Sequence, residues 1–233
     1  VEVEVTGNGN RETGNEAVPE LPVPLLAPTQ RLVSLPSIEL RDATTGAAPR
    51  LRTAVRVGFR DGAFIVRFDG RDAGTIATLS GRDEALWTED VYEVFLTPLD
   101  PPTVYFEFEI NPLGALFDAR VASPDLVRKT MSVDVKWNLP GFRGRSRVRQ
   151  IRWSATLTIP VAPMLESIPP LPPGGACWRA NFYRVDRGAK DEFSAWSPTK
   201  REPADFHEAR RFGRLNLPSD AGEAPSRKES QSP

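Results

Sequence analysis

The chain has 233 residues, with 30 basic and 31 acidic side chains and a net charge of −1. It therefore offers no concentrated positive field for nucleic acid or an anionic membrane. A single cysteine, Cys177, excludes an intrachain disulfide framework, a single histidine, His207, excludes a two-histidine metal centre, and no apolar run approaches the roughly 18 residues of a bilayer span.

Residues 1–30 are acidic and Gly/Asn-rich, then Pro-rich (Pro19, Pro22, Pro24, Pro28), and are expected to be a flexible tail. The folded domain is expected over 31–217. Thr53–Phe59 and Ala63–Phe68 alternate with period two around Arg60-Asp61-Gly62, a β-hairpin signal. Further strands are expected at Val91–Leu96, Val104–Asn111, Leu116–Ala122 and Met131–Trp137. Ser146–Pro160 (bent or broken), Ala176–Val185 and Arg214–Leu217 complete the set. Only Val161–Ser167 and Ala204–Arg211 have the pattern of a short helix, and 218–233 reads as a second disordered tail. Many strands separated by Pro/Gly turns, with almost no helical periodicity, give an all-β fold: a two-sheet antiparallel sandwich of jelly-roll or Greek-key type.

Alternation in Tyr105–Asn111 sends Phe106, Phe108 and Ile110 to the core and Tyr105, Glu107, Glu109 and Asn111 to the other face. In Ala176–Val185, Trp178, Ala180 and Phe182 share one face and Arg179, Asn181 and Tyr183 the other. Two strands that present carboxylate, guanidinium and amide groups suit sugar hydroxyls, which donate and accept at once. A pyranose also needs a flat apolar platform. Trp137 and Trp153 sit in alternating strands and are expected in the core, and Trp178 is ambiguous. Trp87 and Trp196 lie in polar, turn-like settings, where an exposed ring serves binding.

These segments carry a resemblance. Leu86-Trp87-Thr88-Glu89-Asp90-Val91-Tyr92-Glu93-Val94-Phe95-Leu96 resembles the W-x-x-D-x-x-E-[VI]-F strand of carbohydrate-binding module family 9. Phe108–Gly114 and Trp153–Pro160 are similar to later strands of that family. Trp178–Arg184, Trp196–Thr199 and Phe206–Leu215 follow its C-terminal signature in order, so the resemblance spans about residues 50–217. It implies a β-sandwich accessory to secreted glycoside hydrolases, extracellular or periplasmic, that clamps a xylan- or glucan-type chain end between two Trp rings. Carried over by position, the rings are Trp87 and Trp196, and the polar contacts are Glu93, Glu109, Asn111, Arg179 and Asn181. Glu109 departs from members with a basic residue there, and Ala209 from relatives with Pro. On this reading Trp196→Ala keeps the fold and loses binding.

Two other readings stay open. A carboxylate pair, Glu93 with Glu109 or Glu107, is what a retaining glycoside hydrolase needs. Related sandwich domains bind haem through Met and His, and the chain has Met131, Met164 and His207. Some members of the family carry structural Ca²⁺. Asp61, Asp69, Asp72, Asp83 and Asp90 supply hard oxygens without a recognisable ligand spacing.

Overall fold

Alternation of apolar and polar side chains turns most of these segments into strands. In the computed structural model, which describes residues 17–218 apart from 73 and 174, they form two stacked sheets. The strands are β1 (Glu20–Pro22), β2 (Ile38–Glu39), β3 (Arg41–Asp42), β4 (Thr53–Arg60), β5 (Ala63–Arg71), β6 (Val91–Thr97) and β7 (Val104–Ile110). They continue with β8 (Leu116–Ala122), β9 (Ser132–Asp134), β10 (Arg143–Arg149), β11 (Arg152–Pro160), β12 (Arg179–Asp186), β13 (Glu192–Ala195) and β14 (Gly213–Asn216). One helical turn, α1 (Ala162–Leu165), follows β11.

Among the described residues the larger sheet has nine strands, in the order β1-β14-β12-β6-β7-β8-β9, with β13 bonded to β12 and β3 to β13. The smaller has five, in the order β10-β11-β5-β4-β2. Every pairing between these strands is antiparallel except β1 with β14. The inner faces meet in one core. Tyr92 of β6 stacks between Phe68 of β5 and Trp153 of β11, at centroid distances of 4.6 and 3.8 Å. Its hydroxyl donates to the Trp153 carbonyl at 3.1 Å, which satisfies the polar end of a buried ring. Among the described residues no helix is long and apolar enough to cross a membrane.

The hairpin of β4 and β5 pairs as its alternation requires, with Val57 opposite Val66 and Phe59 opposite Phe64. Other segments differ from expectation. Residues 20–22 are not a free tail: β1 joins β14, and Val23 and Leu26 are buried, so the fold begins before residue 31. The expected tail residues 1–16 and 219–233 lie outside the described residues. Ser146–Pro160 is two strands, β10 and β11, folded back at Gln150, whose φ of 47° makes the turn. Only Ser132–Asp134 of Met131–Trp137 pairs; Trp137 instead leaves the strand and packs on Phe106 at 4.6 Å. Of Ala204–Arg211, only Ala209–Arg211 is helical, as a 3-10 turn.

Candidate functional site

Because side chains alternate, β6, β7, β8 and β12 present a second set of residues on the outer face of the larger sheet. Strand register places Phe117 (β8), Glu109 (β7), Glu93 (β6) and Tyr183 (β12) side by side in one row. Neighbouring strands lie about 4.8 Å apart, so Phe117 and Tyr183 are separated by about 14 Å, with the two carboxylates between them. Glu107 stands one pleat further along β7. Trp87, on the 3-10 turn Leu86–Thr88 that leads into β6, sits edge-on to Phe117 at 5.2 Å. Phe206, on the segment that leads to β14, stacks on Tyr183 at 4.1 Å and an 11° tilt. Two aromatic rings from distant parts of the chain thus flank a carboxylate floor. The resulting cleft has a volume of about 400 Å³, and its walls also include Phe95, Met131, Phe193 and His207.

The electrostatics of the floor follow from burial. Glu93, Glu107 and Glu109 are all buried, and they offer one oxygen each within 4.8 Å of the others. Loss of hydration, then repulsion from Glu107, pushes the Glu93 carboxyl well above the usual carboxylate range. Glu109 is raised in the same direction, first by burial and then by Glu93 and Glu107. Glu107 is pushed up to about 7 by burial, opposed by a hydrogen bond from Glu109 and by Arg128. As a carboxylate, Glu109 has no hydrogen-bond donor at either oxygen. A proton held on Glu109 and donated to Glu107 relieves both groups.

The rim arginines Arg128 and Arg187, which lower Glu107 and Glu93 in part, also bond elsewhere. Arg128 pairs with Asp205 at 3.1 Å. Arg187 pairs with Asp191, donates to the Trp87 carbonyl at 2.9 Å, and lies over the Phe193 ring.

The structure brings together only part of the site expected from sequence. Trp87 is 41 % exposed and lines the cleft, with Glu93 on the floor and Glu109 beside it on β7, buried and outside the lining. Trp196 is 8 % exposed and lies in the core between the sheets, 5.4 Å from Phe182. Its indole rests against Gly213, where a Cβ would collide with the ring. The Trp87–Trp196 slot is therefore not formed: the polar turn around Trp196 covers the sandwich edge, and the ring points inward.

Asn181 is buried and holds that same turn, donating to the Ser197 carbonyl at 2.8 Å and accepting from the Ser197 amide at 2.9 Å. Asn111 closes its own turn by accepting from the Ala115 amide and ties it to a distant loop by donating to the Leu79 carbonyl. Arg179 lies away from the cleft, bonded to the Phe212 carbonyl at 3.0 Å and ion-paired to Asp100 at 2.7 Å. None of the three faces the cleft: Asn111 and Asn181 are engaged by backbone groups, and Arg179 by the Phe212 carbonyl and the Asp100 carboxylate.

Phe206 was not among the expected residues. The sequence reads its segment, Ala204–Arg211, as a short helix, whereas Phe206 lies in irregular chain before the 3-10 turn Ala209–Arg211, and a ring there acquires meaning only when the sheet beneath it is known. The other expectations resolve on local geometry. Met164 is in the core, while Met131 Sδ and His207 Nδ1 both contact the Tyr105 hydroxyl, at 3.3 and 2.8 Å, which gives each a structural partner. Of the five aspartates considered for calcium, Asp72 and Asp90 converge, together with Asp186. Arg184 is buried among them, ion-paired to Asp186 and 3.6 Å from Asp72, so a guanidinium already supplies the positive charge.

Solved structures share this architecture. A candidate carbohydrate-binding protein of Bacteroides uniformis matches with a TM-score of 0.66 and 18 % identity, over 86 % of this chain and 99 % of that one. A carbohydrate-binding module of family 9 from Caldicellulosiruptor kristjanssonii, in complex with cellotriose, matches with a TM-score of 0.58 and 13 % identity, over 88 % and 98 % of the two chains. A family 9 module from the same organism, in complex with glucose, matches at 0.55 and 11 % identity, over 88 % and 99 %. At these identities the likeness shows the fold. No curated protein is significantly similar in sequence. The sequence model of carbohydrate-binding family 9 matches residues 38–217, and the chain belongs to that family.

Proposed function

We propose that the outer-face cleft binds a carbohydrate, with a sugar ring packed on Trp87 and faced by Phe206, and with Glu93 and Glu107 accepting hydrogen bonds from the ring's polar edge. The observation that carries this reading is the single row of Phe117, Glu109, Glu93 and Tyr183, with an aromatic ring standing over each end and carboxylates between. Flat apolar walls suit the C–H faces of a pyranose, and carboxylates accept from adjacent hydroxyls. The family 9 modules in complex with cellotriose and glucose support the same ligand class. A chain end of a plant glucan or xylan is the proposed partner, bound outside the cytoplasm in the service of a glycoside hydrolase.

Binding without hydrolysis is expected. Glu93 and Glu109 stand side by side on adjacent strands and rise from one floor, rather than flanking a bond from two sides. Calorimetry with cellotriose tests the reading. Trp87→Ala is expected to weaken binding about 10- to 1,000-fold, since loss of a stacking ring is worth ~1.4 kcal/mol for each tenfold. Unchanged affinity in Trp87→Ala refutes the site, and release of new reducing ends moves the assignment to a glycosidase.

A further inference from the structure

Resting on the carbohydrate reading of this cleft, we infer that it prefers a sugar carrying a free, protonated amine: the buried trio Glu93, Glu107 and Glu109 at the floor is a receptor for an ammonium group on the edge of the ring.

Three carboxylate oxygens within 4.8 Å of one another, all buried, repel one another and have lost their hydration. No group outside the trio donates to Glu109, whose one polar partner is Glu107 through a shared proton. The nearby cations compensate only in part: Arg128 lowers Glu107 and Arg187 lowers Glu93, but Arg128 is also held by Asp205, and Arg187 by Asp191 and the Trp87 carbonyl, and Glu93, Glu107 and Glu109 all stay raised. Only a proton or an incoming cation relieves such a floor.

The walls say which cation. Trp87, Phe95, Phe117, Phe193 and Phe206 line the cleft with Glu93 and Glu107, and Arg128 and Arg187 also belong to its lining. A calcium ion needs six to eight oxygens, and aromatic side chains supply none. An ammonium needs three acceptors and is favoured beside aromatic faces. A pyranose held between Trp87 and Phe206 turns its edge, not its face, toward the floor, so an amine on that edge meets Glu93 and Glu107, with the Glu109 charge beside them. A neutral sugar leaves the trio dependent on shared protons. An N-acetylated amine brings no charge.

The test is calorimetry on the full chain, in the presence of EDTA, with three trisaccharides: β-1,4-linked glucosamine, its fully N-acetylated counterpart, and cellotriose. The glucosamine trisaccharide is expected to bind at least ~10-fold more tightly than either of the others, as a buried charge pair allows. In Glu107→Gln, with the fold checked by circular dichroism, that ratio is expected to fall to within about threefold.

If cellotriose binds as tightly as the amine and Trp87→Ala abolishes it, the carbohydrate reading stands and the amine preference is wrong. If none of the three binds, both are wrong. A separate titration with calcium or magnesium chloride, without sugar and without EDTA, covers the rival ligand: heat that disappears in Glu107→Gln makes the trio a metal site and overturns the inference. The wild-type ratio decides the question even if Glu107→Gln does not fold.

Discussion

Trp87 and Trp196 look alike in sequence, each in a short polar turn, yet the sheets give them opposite roles. Trp87 precedes β6 on the outer side and keeps 41 % of its surface exposed. Trp196 follows β13 with its ring directed between the sheets, against Gly213 and Phe182. Trp196→Ala is therefore expected to cost about 3–5 kcal/mol of stability, as large core truncations do, rather than to remove a ligand contact. A denaturant titration checks this; a stable Trp196→Ala protein contradicts the packing described.

The glutamates make a second prediction. Glu93, Glu107 and Glu109 all have raised values, with Glu107 at about 7, against an ordinary 4.5. The native state keeps protons that the unfolded chain has released, so this contribution is complete below about pH 4.5 and is lost as pH rises through the folded values. His207, lowered to about 4 by burial, acts in reverse: its contribution is complete above about pH 6.5 and is lost as pH falls toward 4. The two oppose each other in between, so the glutamates act unopposed by His207 above about pH 6.5. Stability should fall between about pH 6.5 and 8, with a slope near 1.4 kcal/mol per pH unit for each proton retained. Glu109→Gln should flatten that slope. An equal slope in the variant, measured by thermal unfolding across pH, removes the shared-proton description of the floor.

Strands with clear alternation were legible even where, as with β6 and β12, they pair far apart in sequence, and the short strands β1, β2, β3 and β13 were not. The β4–β5 hairpin is local and shows itself by alternation around Asp61-Gly62. β1 pairs with β14 nearly the whole chain away, and its Pro-rich sequence hid that pairing. Removing residues 1–30 would be harmless if they were a tail. Because Val23 and Leu26 are buried, the truncation should instead destabilise the domain by several kcal/mol, at about 1.5–3 kcal/mol for each large apolar side chain re-exposed. The unfolding midpoint of the shortened chain checks this, and an unchanged midpoint contradicts it.

β10 shows a different device. It is the outer strand of the smaller sheet, and Arg143, Arg145, Arg147 and Arg149 all stand exposed along it. Charges on an unpaired edge oppose strand-to-strand association. Replacing Arg145 and Arg147 by valine should promote self-association at neutral pH, visible by analytical ultracentrifugation; a strictly monomeric variant would show that the charges do not serve that purpose.

Across the whole molecule, the strands that carry the outer-face cleft also supply the larger sheet's share of the core. Tyr92, Phe108 and Phe182 point inward while Glu93, Glu109 and Tyr183 point outward, so period-two alternation writes both the core and the site. That is why Glu107 and Glu109 could be placed on one face from sequence, while Glu93 came from the family resemblance. The second wall could not, because Phe206 reaches the cleft through a segment without regular structure, and neither could the inward turn of Trp196. The sugar-site description stands or falls on which indole a sugar touches, and the five Trp side chains offer five separate indole N–H signals. The direct measurement is a titration with cellotriose and with the glucosamine trisaccharide, followed by nuclear magnetic resonance of these signals. Trp87 should shift with saturation while the core indoles of Trp153, Trp178 and Trp196 stay in place. A saturable shift of Trp196 with Trp87 unmoved would put the sugar elsewhere and contradict the outer-face cleft.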